Sequence, residues 1–181
     1  MGFDRAFEQT VGLEGGFSQD PDDNGNWTGG RKGVGELKGT KYGICAAQYP
    51  HLAIENLTIP EAKAIYRRDY WNPLRLDSIA DEAIQEEVFD TGVNMGIGTA
   101  ARILQAAINF LETGTPIVED GRIGPMTLAY TDRWTRKDPE ALHKTLNGFQ
   151  FMRYFEIVVR NPSQEKFARG WMKRIQYYRG G

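Results

Sequence analysis

Hydrophobic positions recur at helical spacing along most of the chain. Phe3, Phe7 and Thr10 or Val11 follow one another at three- and four-residue steps, and Glu14 falls on the same stripe while Asp4 and Glu8 face away. The spacing predicts a first helix stopped by Gly15-Gly16, with Glu14 in its last turn. Thr58, Pro60 and Glu61 open a second helix as a capping box, carrying Ala62, Ile65 and Tyr66 and ending at Trp71-Asn72-Pro73. A third is predicted from about Asp81 to Met95 on Ala83, Ile84, Val88 and Phe89, its face continued by Gly92, Val93 and Gly96 for close approach of another helix. Thr99 is expected to cap a fourth, with Ile103, Leu104, Ala107, Ile108 and Leu111 as its stripe. Pro125 opens a short helix through Tyr130, and Asp138-Pro139 a long one bearing Leu142, Leu146, Phe149, Met152, Phe155 and Val159, ended by Asn161-Pro162. The last, Gln164 to Tyr178, carries Phe167, Trp171, Ile175 and Tyr178.

Between the first two helices the pattern breaks. Ser18 to Thr40 is glycine-rich and irregular, and Lys41-Tyr42-Gly43-Ile44 leads toward a short helix ending near Tyr49-Pro50. Part of the loop is expected to form a small β-hairpin with Trp27 and Val34 on one side. No other segment alternates as a strand does, so the fold class is mainly α.

At 181 residues the chain is one domain or two small ones. Its 22 basic and 24 acidic residues nearly balance, which gives no whole-chain case for nucleic acid. A basic cluster in the last helix (Lys166, Arg169, Lys173, Arg174, Arg179) reads either as a solvated face or as attraction to an anionic polymer. The single Cys45 excludes an internal disulfide and reads as a small buried hydrophobe. No stretch is apolar enough to span a membrane, and Met1-Gly2-Phe3-Asp4-Arg5 enters an amphipathic helix rather than a signal peptide, so cytoplasmic synthesis is expected.

The loop holds the candidate chemistry. Glu14, on a core-facing stripe at a helix C-terminus, is expected to have a raised pKa, since burial and the helix dipole both disfavour its charge. Such an acid can protonate a leaving oxygen; as a plain last-turn residue it is only part of a cap. Asp20-Pro21-Asp22-Asp23-Asn24-Gly25 resembles the opening of a calcium loop, but Arg31 stands where the bidentate Glu belongs. Gly29-Gly30-Arg31-Lys32-Gly33 lacks the strand and helix of a phosphate cradle. Asp90 and Asn94 lie four apart, facing a groove or bonded to each other.

The order Glu14-Gly15-Gly16-Phe17, Asp20-Pro21-x-Asp23, Thr40-Lys41-Tyr42-Gly43-Ile44 and Ala64-Ile65-Tyr66-Arg67-Arg68-Asp69-Tyr70-Trp71 resembles the glycoside hydrolase family 108 muramidases, found as phage endolysins and in bacterial secretion loci. Phe89-Asp90-Thr91-Gly92-Val93-Asn94-Met95-Gly96, Ala101-Arg102-Ile103-Leu104-Gln105, Asp120-Gly121-Arg122-Ile123-Gly124-Pro125 and Phe167-Ala168-Arg169-Gly170-Trp171 are similar to the peptidoglycan-binding domain that follows in that family. This chain departs in Phe17, where the family has Tyr, and in a longer Asn24 to Gly39 loop in place of a short Pro-Gly-Gly linker.

The resemblance implies a lysozyme-like helical fold with the glycine-rich loop or hairpin near the active site. It divides the chain into a catalytic part at 1–75 and a wall-binding part at 76–181, packed as one compact unit. Glu14 becomes the general acid, Asp23 or else Asp20 the second carboxylate, and Thr40 the residue that holds a water. Trp27 and Tyr42 are candidate sugar platforms, and Asn94 and Arg122 candidate wall contacts. Peptidoglycan is the expected partner of a monomer that needs no metal or organic cofactor. Such a protein reaches the periplasmic wall through a separate, holin-like exit. The rival readings are a non-catalytic wall-binding protein, a wall peptidase (which two distant histidines disfavour) and a muramidase serving secretion.

Overall fold

A computed structural model describes residues 2–12 and 16–176. It divides into two compact units, one of Phe7–Arg68 and one of Met1–Ala6 with Asp69–Gly181. Helix α1 (Gly2–Thr10) contributes Phe3 and Ala6 to the second and Phe7 to the first, all three buried. It ends earlier than its stripe suggests. Val11 N and Gly12 N both donate to Phe7 O, and Gly12 takes φ +76. The left-handed stop is therefore Gly12, ahead of the expected glycine pair, and Glu14 lies outside the described residues.

In the Phe7–Arg68 unit, the glycine-rich loop is tied across its base by an antiparallel bridge between Ser18 and Thr40 and further up by one between Trp27 and Leu37. Trp27 is half-buried opposite Leu37, whereas Val34, expected to pack on the same side as Trp27, is 46% exposed near the loop tip. Gly30, Gly33 and Gly35 all have positive φ there, which carries the chain round the tip and leaves Val34 exposed. Strands β1 (Thr40–Lys41) and β2 (Ile44–Cys45) pair antiparallel, with Thr40 opposite Cys45. The connecting residues Tyr42 (φ 51) and Gly43 (φ 75) are both left-handed, as a two-residue hairpin of primed type requires. The expected helix before Pro50 is only a turn, in which Gln48 N and Tyr49 N both reach Cys45 O. Ala46-Ala47-Gln48 is too short to repay helix nucleation before Pro50. Cys45 is half-buried rather than core. Helix α2 (Ile59–Tyr66) has the anticipated capping box, and its buried Tyr66 meets Phe7 edge-on at 5.4 Å.

The second unit is built on α3 (Glu82–Met95), α4 (Ile97–Leu111), α5 (Pro125–Lys137), α6 (Pro139–Arg160) and α7 (Glu165–Met172). Phe3, Trp71 and Phe89 form an edge-to-face aromatic cluster at its centre, with centroids 5.2–5.9 Å apart. Gly96 (φ 88) is a hinge between α3 and α4 rather than part of a packing face, so it, not Thr99, precedes α4. A methyl group at Gly92 would meet Leu74 Cδ1 at 2.7 Å and Ala100 Cβ of α4 at 3.8 Å, so the small residue admits a leucine beside the neighbouring helix. Helix α5 runs past Tyr130 because Thr131 and Trp134 continue the buried face of Thr127. Helix α6 has both predicted ends, but Met152, Phe155 and Val159 are exposed while Leu142 and Leu146 are buried. Helix α7 stops at Met172, and Tyr178 lies outside the described residues.

Candidate active site

A buried polar junction in the Phe7–Arg68 unit is built around a residue that no periodicity singles out. Asn26 is fully buried. Its Nδ2 donates to Asp20 O at 2.9 Å, and its Oδ1 accepts from Thr40 Oγ1 at 2.6 Å. Its carbonyl accepts from Lys38 N at 2.9 Å and Gly39 N at 3.0 Å. Side chain and carbonyl of Asn26 thus satisfy four groups from two separate stretches of the loop, Asp20 and residues 38–40, a dense arrangement for an irregular segment. Gly39 (φ 83) is required beside it, since a Cβ there would lie 2.4 Å from Ser18 O.

Around this junction stand the loop residues expected from the sequence. Asp23 caps the short 3-10 turn Asn24–Asn26, its Oδ1 accepting from Gly25 N at 2.8 Å. Asp20 Oδ1 accepts from Asp22 N at 2.9 Å. Both carboxylates are exposed and held by their own backbone in turn geometry. Asp22 pairs with Lys32 Nζ, and Asn24 Oδ1 accepts from Lys32 N at 2.9 Å, so these donors of the calcium-like sequence serve the loop itself. Among the described residues no cluster of three or more His, Cys, Asp or Glu is arranged for a metal. Trp27 is half-buried with its Nε1 on Pro21 O at 2.9 Å. Tyr42 is half-buried, its carbonyl accepts from Tyr66 OH at 3.0 Å, and Lys41 Nζ sits 5.5 Å from its ring.

A groove of about 350 Å³ runs beside the loop, between Phe17, Gln19 and Lys38 on one side and His51 to Asn56 on the other. Gln19 and His51 belong to no motif; their place in a wall of the groove depends on the 51–56 turn folding back, which sequence spacing does not encode.

The other unit holds Asn94 and Arg122. Asn94 Nδ2 donates to Asp90 O at 2.8 Å and to Asp90 Oδ1 at 3.2 Å, so the two residues bond to each other. Arg122 has an exposed side chain, and its backbone closes a turn in which Gln105 is the organiser. Buried Gln105 donates to Asp120 Oδ1 at 2.8 Å and Arg122 O at 2.9 Å and accepts from Gly121 N at 3.0 Å. The Gln105 bond, followed by that from Arg122 N, holds the Asp120 carboxyl below its ordinary range. Deeper in the unit, burial pushes Glu87 up to about 8, helped by neighbouring Asp90, while a hydrogen bond from Asn147 opposes the shift. Burial also lowers His143. Both are therefore neutral at pH 7, and their 4.0 Å approach is not an ion pair.

The helical architecture is lysozyme-like, and it is shared with a solved structure, that of Brucella abortus SagA, with a TM-score of 0.67 and 23% identity over 96% of this chain and 88% of that one. Residues 7–96 match the glycosyl hydrolase 108 model, and residues 99–176 match a predicted peptidoglycan domain. The protein is accordingly a glycoside hydrolase of the peptidoglycan-degrading class. Within that class, the chain belongs to the glycosyl hydrolase 108 family and continues into a predicted peptidoglycan domain. No curated protein sequence matches it.

Proposed function

We propose that this protein hydrolyses the β-1,4 bond between N-acetylmuramic acid and N-acetylglucosamine, with Glu14 as general acid and Asp23, or else Asp20, as the second carboxylate. The observation that carries the reading is the Asn26 junction. It joins Asp20 and Thr40 in one frame, with Asp23 three residues away on the same turn. The Thr40 hydroxyl proton is committed to Asn26, which leaves its oxygen to accept a hydrogen bond from a water. Glycoside hydrolysis needs an acid and a carboxylate that stabilises an oxocarbenium-like transition state or activates a water. Trp27 and Tyr42 serve as sugar platforms, and Asn94 and Arg122 as wall contacts. The catalytic part is 1–75 and the wall-binding part 76–181, in a monomer made in the cytoplasm.

The biological setting we favour is a phage or prophage endolysin reaching the wall through a holin-like exit; a muramidase serving secretion uses the same chemistry. Mass spectrometry of soluble products from purified peptidoglycan tests the reaction. Reducible muramic acid ends from the intact protein, absent with Glu14→Gln at unchanged Tm, are expected. Peptide release with intact glycan would instead identify a peptidase. Wall binding without products would identify a binding protein.

A further inference from the structure

One face of the second unit is both apolar and basic, and among the described residues its large side chains stay exposed. On α6, Gly148, Phe151, Met152, Phe155 and Val159 follow at steps of three and four, on one side of the helix. The four side chains are 44–61% exposed, and Phe110 beside them on α4 is 72% exposed. Two open grooves, of about 500 and 170 Å³, meet at Phe151 and extend the patch from Phe110 to Trp171 and Met172. Tyr154 and Trp171 stack at 4.9 Å, which fixes α7 against α6 and turns its Phe167 outward, 47% exposed. A contiguous apolar surface of this kind marks an interaction site.

Charge identifies the occupant. Residues 148–174 contain six basic side chains (Arg153, Arg160, Lys166, Arg169, Lys173, Arg174) and two acidic ones (Glu156, Glu165), a net of +4, or +3 with Arg174 set aside because it pairs with Asp90 at 2.7 Å. The whole chain carries −2, so everything else carries −6. We propose that this face docks peripherally on an anionic phospholipid bilayer, with the phenylalanines in the acyl boundary and Lys166, Arg169 and Lys173 at the headgroups. A two-fold dimer through the same patch would set one basic face against another, so a second copy fits poorly. Among the described residues no helix is long and apolar enough to cross a membrane, in keeping with a surface-bound geometry.

The test is flotation of the full chain with vesicles of phosphatidylcholine, with and without phosphatidylglycerol. Binding is expected only with phosphatidylglycerol, weakening as salt rises. Lys166→Glu with Arg169→Glu should lower partition about tenfold or more, and Phe155→Ser with Val159→Ser should do the same at unchanged Tm. No flotation, or flotation equal in all variants, overturns the proposal. So does concentration-dependent dimerisation that Phe155→Ser abolishes, or loss of sacculus binding in the same variants without any lipid binding. None of these readouts uses hydrolysis, so they stand apart from the muramidase assignment.

Discussion

Asn26 is fully buried, and an amide suits it because one neighbour, Asp20 O, needs a donor while the other, Thr40 Oγ1, supplies a proton. Asn26→Ala strands both, and a loss of about 2–3 kcal/mol is expected in denaturant unfolding, together with loss of wall hydrolysis. Asn26→Asp keeps the acceptor but sets a carboxylate against the Asp20 carbonyl, so it should rescue neither property. Unchanged stability in Asn26→Ala would remove the junction as the organiser of the loop. Asp20, Asp23 and Thr40 were visible as candidates because they sit in short motifs. Asn26 was not, because its partners lie 6 and 14 positions away in a segment without periodicity.

Helix ends follow local chemistry, and they are where sequence reading works best here. Thr58 Oγ1 accepts from Glu61 N at 3.4 Å while Glu61 Oε2 accepts from Thr58 Oγ1 at 2.7 Å and from Thr58 N at 2.9 Å, and these two bonds, the hydroxyl's first, hold the Glu61 carboxyl below its usual range. Thr58→Ala is expected to lower Tm by about 2–4 °C in a thermal melt, with Thr58→Ser close to the parent. Asp81 and Asp138 likewise cap α3 and α6 where expected, their carboxylates accepting from Ile84 N and Ala141 N. The mistaken boundaries share a cause. At Gly12, Gly96 and Thr131 two local signals competed, and the surrounding packing or a left-handed glycine decided between them.

At the scale of the whole molecule, the buried Glu87 makes stability depend on pH. Its native pKa of about 8 lies above the ordinary 4.5, so the native state retains a proton that the unfolded chain has released, and stability falls as pH rises from about 4.5 to about 8. His143 acts in the opposite sense and lower down: its lowered pKa makes stability rise with pH up to about 6.5, the ordinary value. Above pH 6.5 the His143 contribution is complete while the Glu87 effect continues. A decline of up to about 2 kcal/mol is expected from there to about pH 8. Glu87→Gln should flatten it, as read from Tm against pH; an unchanged slope would show that Glu87 is ionised in the fold.

The sequence by itself determined that the protein is mainly α, where its capped helices begin, and its family, because periodicity, caps and short motifs are local and survive as patterns along the chain. Tertiary structure alone decided which face of α6 is buried and that Asn26 and Gln105 hold the two loops together. It also decided that Glu87 keeps its proton. Each of those depends on groups far apart in the chain becoming neighbours, and a hydrophobic stripe does not say how much of itself other elements will cover.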